Sequence, residues 1–371
     1  MVLSRSLIVF LCGLFFFTSC KKDPAGPGAG KEFGLESPFY TFPASHDAYY
    51  GTLLWPQDQT VFWYGGHGLY RISVPNGNAT NIDNQTGYYA AYESDSEAIY
   101  YLPAECLSGC SAPVFKISIN GGAPERVSDL EIQTSGGSPL IPVSSNQFLF
   151  VQLHPESSVL STYLYDQTSG DSSRLADGIP ETLSPTRSEV LVYQLDETVH
   201  TEEEDIYQLA FVSLNGMISD TWQITGNPFT HLPIYPPLWD LNGIRILYMK
   251  RDYDNNARIS LWINLYPDSR EEKLWDTSGG PEKTIEGPFR WSDDNTQLAF
   301  WERTCLKAGL YSCDGGYKRT LWVYNSLKAK ATKQVVDHSD EANIARDQRF
   351  SSDGSQLLFL YDRALYLKDV E

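Results

Sequence analysis

An apolar anchor, six mostly polar residues and then three consecutive apolar residues recur seven times along this chain, and no other feature restricts the fold as strongly. The copies are Leu54 with Val61-Phe62-Trp63, Tyr92 with Ile99-Tyr100-Tyr101, Ile141 with Phe148-Leu149-Phe150, Leu183 with Val190-Leu191-Val192, Trp239 with Ile246-Leu247-Tyr248, Trp291 with Leu298-Ala299-Phe300, and Phe350 with Leu357-Leu358-Phe359. The offset from anchor to triplet is seven in every copy. The residues between are turn-formers, most plainly Ser292-Asp293-Asp294-Asn295 and Ser352-Asp353-Gly354-Ser355. Asp and Asn cap such turns, and Gly tolerates the positive φ of a tight hairpin.

Each triplet is followed by a second apolar segment, such as Leu69-Tyr70-Arg71-Ile72 or Leu321-Trp322-Val323-Tyr324. After a further turn comes a more polar one, such as Glu125-Arg126-Val127 or Lys333-Gln334-Val335. A unit is therefore four strands, A to D. A strand with one wet face alternates in polarity, whereas a strand covered on both faces does not, so the triplets call for covered sheets. Repeated four-stranded units stacked face to face predict an all-β chain forming a β-propeller of seven blades. A single large β-sandwich is the other arrangement, but it has no reason to keep one offset through seven copies. The seventh unit lacks a strand D, and residues 34–42 precede the first unit without a place of their own. They are expected to complete the last blade, with residues 39–42 against residues 365–367, which removes a loose edge.

The units resemble the WD40-like repeats of the TolB propeller family. Trp291-Ser292-Asp293-Asp294-Asn295-Thr296-Gln297-Leu298-Ala299-Phe300 carries the resemblance best, residues 350–359 come next, and the first and third copies fit loosely. The resemblance implies a fold and little about function, since this fold hosts enzymes, sensors and scaffolds. It makes a six-bladed ring, as in TolB, the runner-up to the seven counted here.

The first residues read as an address. Residues 1–5 carry one positive charge, and Leu7 to Phe17 form an apolar run too short to span a bilayer as a helix. Thr18-Ser19-Cys20 then resembles the lipobox of bacterial lipoproteins, in which small residues precede a Cys that becomes the lipidated N-terminus. An ordinary signal peptide with a chance Cys is the alternative. The expected organisation is a signal peptide over residues 1–19, lipidated Cys20 and a flexible tether over residues 20–33, and one propeller over residues 34–371. The start Cys20-Lys21-Lys22-Asp23 is similar to lipoproteins of Bacteroidota, which implies the outer membrane and leaves the leaflet open.

Charge narrows the partners. With 28 Lys and Arg against 47 Asp and Glu, net −19, the chain lacks the basic face that phosphate binding needs, and no nucleic acid is expected. Loops between strands B and C fall on one face of a propeller. They are long in blades two to six (residues 103–113, 152–161, 194–206, 250–258 and 302–319) and tight in blades one and seven. Repeat proteins put such insertions on the binding face. Cys106, Cys110, Cys305 and Cys313 lie in these loops, and an exported location favours local disulfides, Cys106 with Cys110 and Cys305 with Cys313. A Cys₄ zinc site is the alternative, although neither spacing matches a common zinc motif. Glu202, Glu203, Glu204, Asp205, Asp252 and Asp254 make the same face acidic, suited to a basic partner or a cation such as Ca²⁺. Asp252-Tyr253-Asp254-Asn255-Asn256 lacks the Gly and distal Glu of an EF-hand loop.

No catalytic constellation stands out: neither G-x-S-x-G nor a Gly-rich phosphate loop occurs. Metal-dependent lyases on TolB-like propellers have sites built from several His and a Gln, and here only His46 and His231 just precede an anchor strand. No metal site or cofactor is assigned. The expectation is a non-catalytic, outer-membrane-anchored propeller that docks another envelope protein through its long-loop face. The alternative is a glycan-binding or lyase-like, glycan-active surface lipoprotein.

Overall fold

In a computed structural model of the chain, seven antiparallel sheets of four strands form a seven-bladed propeller. The structure describes residues 37–43, 51–103, 110–133, 140–156, 159–195, 207–224, 238–240, 242–252, 258–266, 268, 270–276, 283–307, 313, 315–339 and 346–370. The six-bladed alternative is excluded by the count of sheets. Blade one shows the plan: A is Gly51–Gln57, B is Thr60–Gly65, C is Gly68–Ser73 and D is Ala79–Asp83, each paired with the next in sequence. All seven triplets are strand B of their blades, and none of their residues is more than 4 % exposed.

Alternation along those covered strands decides how the ring is held. Val61 and Trp63 pack with Leu358 of blade seven, whereas Phe62 between them packs with Ile99 and Tyr101 of blade two. Tyr100 joins Phe148 and Phe150 of blade three, and Leu149 turns to Val190 and Val192 of blade four. Leu191 meets Ile246, Leu247 meets Leu298 and Phe300, and Ala299 meets Leu357 and Phe359. Each seam between blades thus has its own apolar cluster. Burying a side chain of this size contributes about 1.5–3 kcal/mol, so the seams dominate stability.

The constant offset is a pairing register in five blades. Tyr92, Leu183, Trp239, Trp291 and Phe350 stand directly opposite the first residue of their triplets. In blades one and three the register slips: Leu54 faces Phe62 and Ile141 faces Leu149, the second triplet residues. Bulges near Trp55 and at Val143 account for the slip, because an extra residue in strand A moves the pairing along without changing the count in sequence. Each C–D pairing in blades one to six also carries a register shift, and several outer strands are longer than their sequence cores suggested, Lys330–Ser339 most of all.

The first described strand, Tyr40–Thr41, is strand D of blade seven. Tyr40 stands opposite Leu365 and Thr41 opposite Ala364, while the Phe42 amide donates to Arg363 O at 2.8 Å. The closure is as expected, but it engages residues 363–365 rather than 365–367. Packing sets this register: Phe42 is buried against Trp63 at 5.3 Å between ring centres, inside the seam to blade one. Gly77 lies so close to Phe39 O that a Cβ there would sit 1.9 Å from it, so this turn of blade one needs glycine.

Candidate functional site: two unlike faces of one ring

Strand order sorts the connections. A–B and C–D turns lie on one face, the short-turn face; B–C loops and the D–A links between blades lie on the other, the long-loop face.

On the short-turn face one hairpin device recurs. The residue after the anchor is Ser184, Asp240, Ser292 or Ser351, all buried. The amide of each donates to the carbonyl five residues on at 2.8–2.9 Å, and its side-chain oxygen accepts that residue's amide at 2.9–3.1 Å. Four residues after each anchor the backbone turns left-handed, at Arg187 (φ 55°), Gly243 (φ 70°), Asn295 (φ 57°) and Gly354 (φ 72°). Asn and Gly accept that conformation readily; Arg187 adopts it as part of a cross-blade contact.

These hairpins are laced together. Arg187 of blade four bonds Val143 O of blade three at 3.1 Å, then reaches Glu93 at 3.2 Å, Ser94 at 2.7 Å and Asp95 at 2.6 Å on blade two. Burial works to raise the Glu93 carboxyl, but the Ser96 hydroxyl, two backbone amides and Arg187 together hold it below the usual carboxylate range. Arg245 donates to Asn295 O across blades five and six at 3.0 Å, and Gln297 donates to Gly354 O across six and seven at 3.1 Å. Ser352 donates to Asp58 through its amide at 3.0 Å and its hydroxyl at 2.8 Å, which closes seven onto one. Such a belt fixes the hairpins.

The long-loop face is spaced differently. Its B–C connections run from Leu102 to Ser111, Leu153 to Leu160, Leu195 to Tyr207, Asp252 to Arg258 and Cys305 to Tyr317 in blades two to six. Blades one and seven have only Gly65 to Gly68 and Tyr361 to Ala364. The link from Ile224 to Leu238, between blades four and five, adds to the same face. Glu202, Glu203, Glu204, Asp205, Asp254 and Cys106 lie outside the described residues, as does Cys20. Asp252 ends strand B of blade five, opposite Arg258.

Blade six shows how this face is anchored. Cys305 and Cys313 form a disulfide, as expected, and Cys110 is also disulfide-bonded. Leu306 donates to Gly316 O at 3.0 Å, which closes the base of the loop. Beneath it the Arg303 and Arg319 guanidinium groups lie 4.9 and 5.4 Å from the Tyr317 ring centre. Glu286 takes Arg303 at 3.0 Å and faces Arg319 at 3.8 Å. Arg319 is fully buried, and a buried guanidinium needs such a carboxylate.

Charged groups also sit on the inner strands, which the repeat pattern did not flag. Arg290, Asp347 and Arg349 join blades six and seven, and Arg349 donates to Leu53 O of blade one at 2.7 Å. Burial pushes Asp347 up to about 6 despite Arg290. Glu181 is the extra residue of a bulge in strand A of blade four, between Pro180 opposite Val192 and Thr182 opposite Leu191. Burial among the surrounding strands pushes its carboxyl up to about 8. A bulge that re-aims one inner-strand side chain cannot be read from an apolar pattern, although the break Pro180-Glu181 inside a strand was its one sequence signal.

Among the described residues no group of three or more His, Cys, Asp or Glu is placed to hold a metal ion. His67 lies in the tight B–C turn of blade one, His154 follows strand B of blade three, and His338 is in strand D of blade six. His46, His200 and His231 lie outside the described residues. No described helix is long and apolar enough to cross a membrane.

No family model matches the sequence, and no curated protein matches it. Solved structures do match in fold. An oligogalacturonate lyase from Vibrio parahaemolyticus is 13% identical over 92% of this chain and 97% of its own, with a TM-score of 0.60. An oligogalacturonate lyase in complex with manganese is 12% identical over 92% and 96%, with a TM-score of 0.58. A putative TolB from Agrobacterium tumefaciens also matches, 12% identical over 86% and 90%, but its TM-score of 0.41 is too low to support an argument. At such identities the likeness is one of fold, and the chain is a seven-bladed β-propeller.

Proposed function

We propose that this chain is a lipid-anchored, non-catalytic propeller of the outer membrane that docks another envelope protein through its long-loop face. One observation carries the reading: the inserted B–C loops occupy five adjacent blades on one face, while the opposite face is closed by short, hydrogen-bonded hairpins. Disulfides fit a presenting role, because they lower the entropic cost of offering a fixed shape. Cys20 supplies the anchor, and the acids Glu202, Glu203, Glu204, Asp205, Asp252 and Asp254 steer a basic partner. Replacing Glu202, Glu203, Glu204 and Asp205 together with Ser is expected to weaken capture of the partner from its native envelope and to flatten its salt dependence. Unfolding free energy should change by no more than about 0.5 kcal/mol. Undiminished capture by that variant would defeat the reading.

A glycan-binding or lyase-like, glycan-active surface lipoprotein is the second reading. It draws on the likeness of fold to oligogalacturonate lyase, one of whose structures contains manganese. Incubation of the purified chain with oligogalacturonate, with and without Mn²⁺, separates the two: cleavage or tight binding supports the glycan reading.

A further inference from the structure

Strand direction determines where the chain enters the ring. Strand D of a blade starts at the short-turn face, and Tyr40–Thr41 is strand D of blade seven. Phe39 accordingly lies against Gly77, in the C–D turn of blade one. The segment from Cys20 therefore reaches the ring on its short-turn side. The seventeen residue steps from Cys20 to Ser37 span at most about 60 Å. The short-turn face, where the chain enters the ring, therefore lies within that reach of whatever holds Cys20.

That face carries an apolar arc. Four of the seven large hydrophobic side chains exposed among the described residues are on it, in consecutive blades: Met217 (66 % exposed) and Ile218 in blade four, Ile244 in blade five and Leu327 (80 % exposed) in blade six. Polar contacts link the four positions. Ser219, next to Ile218, hydrogen-bonds Tyr266, whose amide donates to Ile244 O at 2.9 Å. Arg245 donates to Asn295 O, which also accepts the Ser326 hydroxyl at 3.4 Å, and Leu327 follows. Beside Leu327, Lys328, Lys330, Asn325, Thr332, Gln297 and Val323 line a cleft of about 200 Å³. At Leu327 an exposed apolar side chain stands next to lysines, which is the chemistry of an interfacial lipid contact, with methyl groups for the acyl boundary and ammonium groups for phosphates; Met217 and Ile218, whose neighbours include Glu189 and Asp220, offer apolar contact alone.

We propose that the short-turn face of blades four to six is a membrane-contact surface. Met217, Ile218, Ile244 and Leu327 rest on the bilayer that holds Cys20, Lys328 and Lys330 meet headgroup phosphates, and the long-loop face points away toward its partner. The proposal rests on the lipid anchoring of the preceding section, and the test separates the two.

The chain from Cys20 onward is coupled through the Cys20 thiol to maleimide-bearing lipid in vesicles of phosphatidylethanolamine with a quarter phosphatidylglycerol, so tethering does not depend on acylation in the cell. Oxidation by the water-soluble oxidant chloramine-T is then followed by peptide mass at Met217 and in two reporter variants, Leu327→Met on the short-turn face and Leu153→Met on the long-loop face. Met217 and the Leu327→Met reporter are expected to oxidise at least fivefold more slowly on vesicles than in solution, and the Leu153→Met reporter at an unchanged rate. Equal rates at Met217 on vesicles and in solution would overturn the proposal. The mass of the N-terminal peptide from the native envelope tests the anchor separately. Acylated Cys20 with unprotected Met217 overturns the face and supports the anchor; unacylated Cys20 with protected Met217 does the reverse.

Discussion

The short-turn and long-loop faces are made by the same twenty-eight strands, yet they solve opposite problems. In blades four to seven the A–B hairpin on the short-turn face uses a buried Ser or Asp to fold back on itself, and contacts such as Ser352 to Asp58 reach a neighbouring blade, so these hairpins are held in place. On the long-loop face the connections are long over five blades, and the Cys305–Cys313 disulfide ties the one in blade six. Rigidity concentrated on one face is what lets the other vary: a ring whose register is already fixed does not need its long loops to fold.

The sharpest way to break the contrast is to attack the closure that enters beside the short turns. Phe42→Ala removes a fully packed aromatic ring from the seam between blades seven and one and should cost about 3–5 kcal/mol, read as a lowered denaturant midpoint. A cost under about 1 kcal/mol would mean that the seam does not depend on strand D of blade seven.

Arg187→Ala tests the belt itself. It leaves Glu93, buried under the hairpin, without its cation, and removes the hydrogen bonds from blade four to Val143 O of blade three and to Ser94 and Asp95 of blade two. Because Arg187 is partly exposed, about 1–2 kcal/mol is expected, smaller than for a fully buried pair. The loss should fade in acid: a carboxyl held below its ordinary value stabilises the fold above the unfolded-state pKa, and that stability is lost as pH falls through the folded one. A loss that is the same at pH 3 and pH 7 would place the effect outside this ion pair.

The smallest effect concerns the inner strands between the faces. Glu181 binds its proton more tightly folded than unfolded, so its contribution is fully present below the ordinary glutamate pKa and is lost as pH rises through about 8. Because Glu181 is only half-buried, solvent screening reduces the effect, and the melting temperature should fall by about a degree between pH 5 and pH 9; Glu181→Gln should remove most of that slope. An identical pH profile in the Gln variant would show that solvent reaches the carboxylate freely.

Much of this architecture was legible from residues alone. Triplets such as Leu357-Leu358-Phe359 announced covered strands, seven of them announced seven blades, and the unplaced segment before blade one pointed to the closing strand. Cys305 and Cys313 were paired from their spacing and setting, and they are bonded. Less legible was anything set by a bulge. The slipped registers of blades one and three preserve the offset in sequence while changing the partner in space, because an offset counts residues and pairing counts hydrogen bonds. Nothing in the local sequence marks Arg187, because its role depends on Glu93, ninety-four positions away.

What the sequence determined by itself is periodic: strand count, blade count, ring closure and the sorting of long and short connections, since each follows from a local pattern repeated often enough to exclude other folds. Relational features, by contrast, arise from the folded ring. The buried Glu286 with Arg303 and Arg319, the laced hairpins of the short-turn face, the inner-strand position of Glu181 and the shared face of Met217, Ile244 and Leu327 all join residues from different strands or blades. Side-chain charge and apolar area act through space at a few ångströms, and closing a ring sets those distances between residues that no sequence pattern brings together.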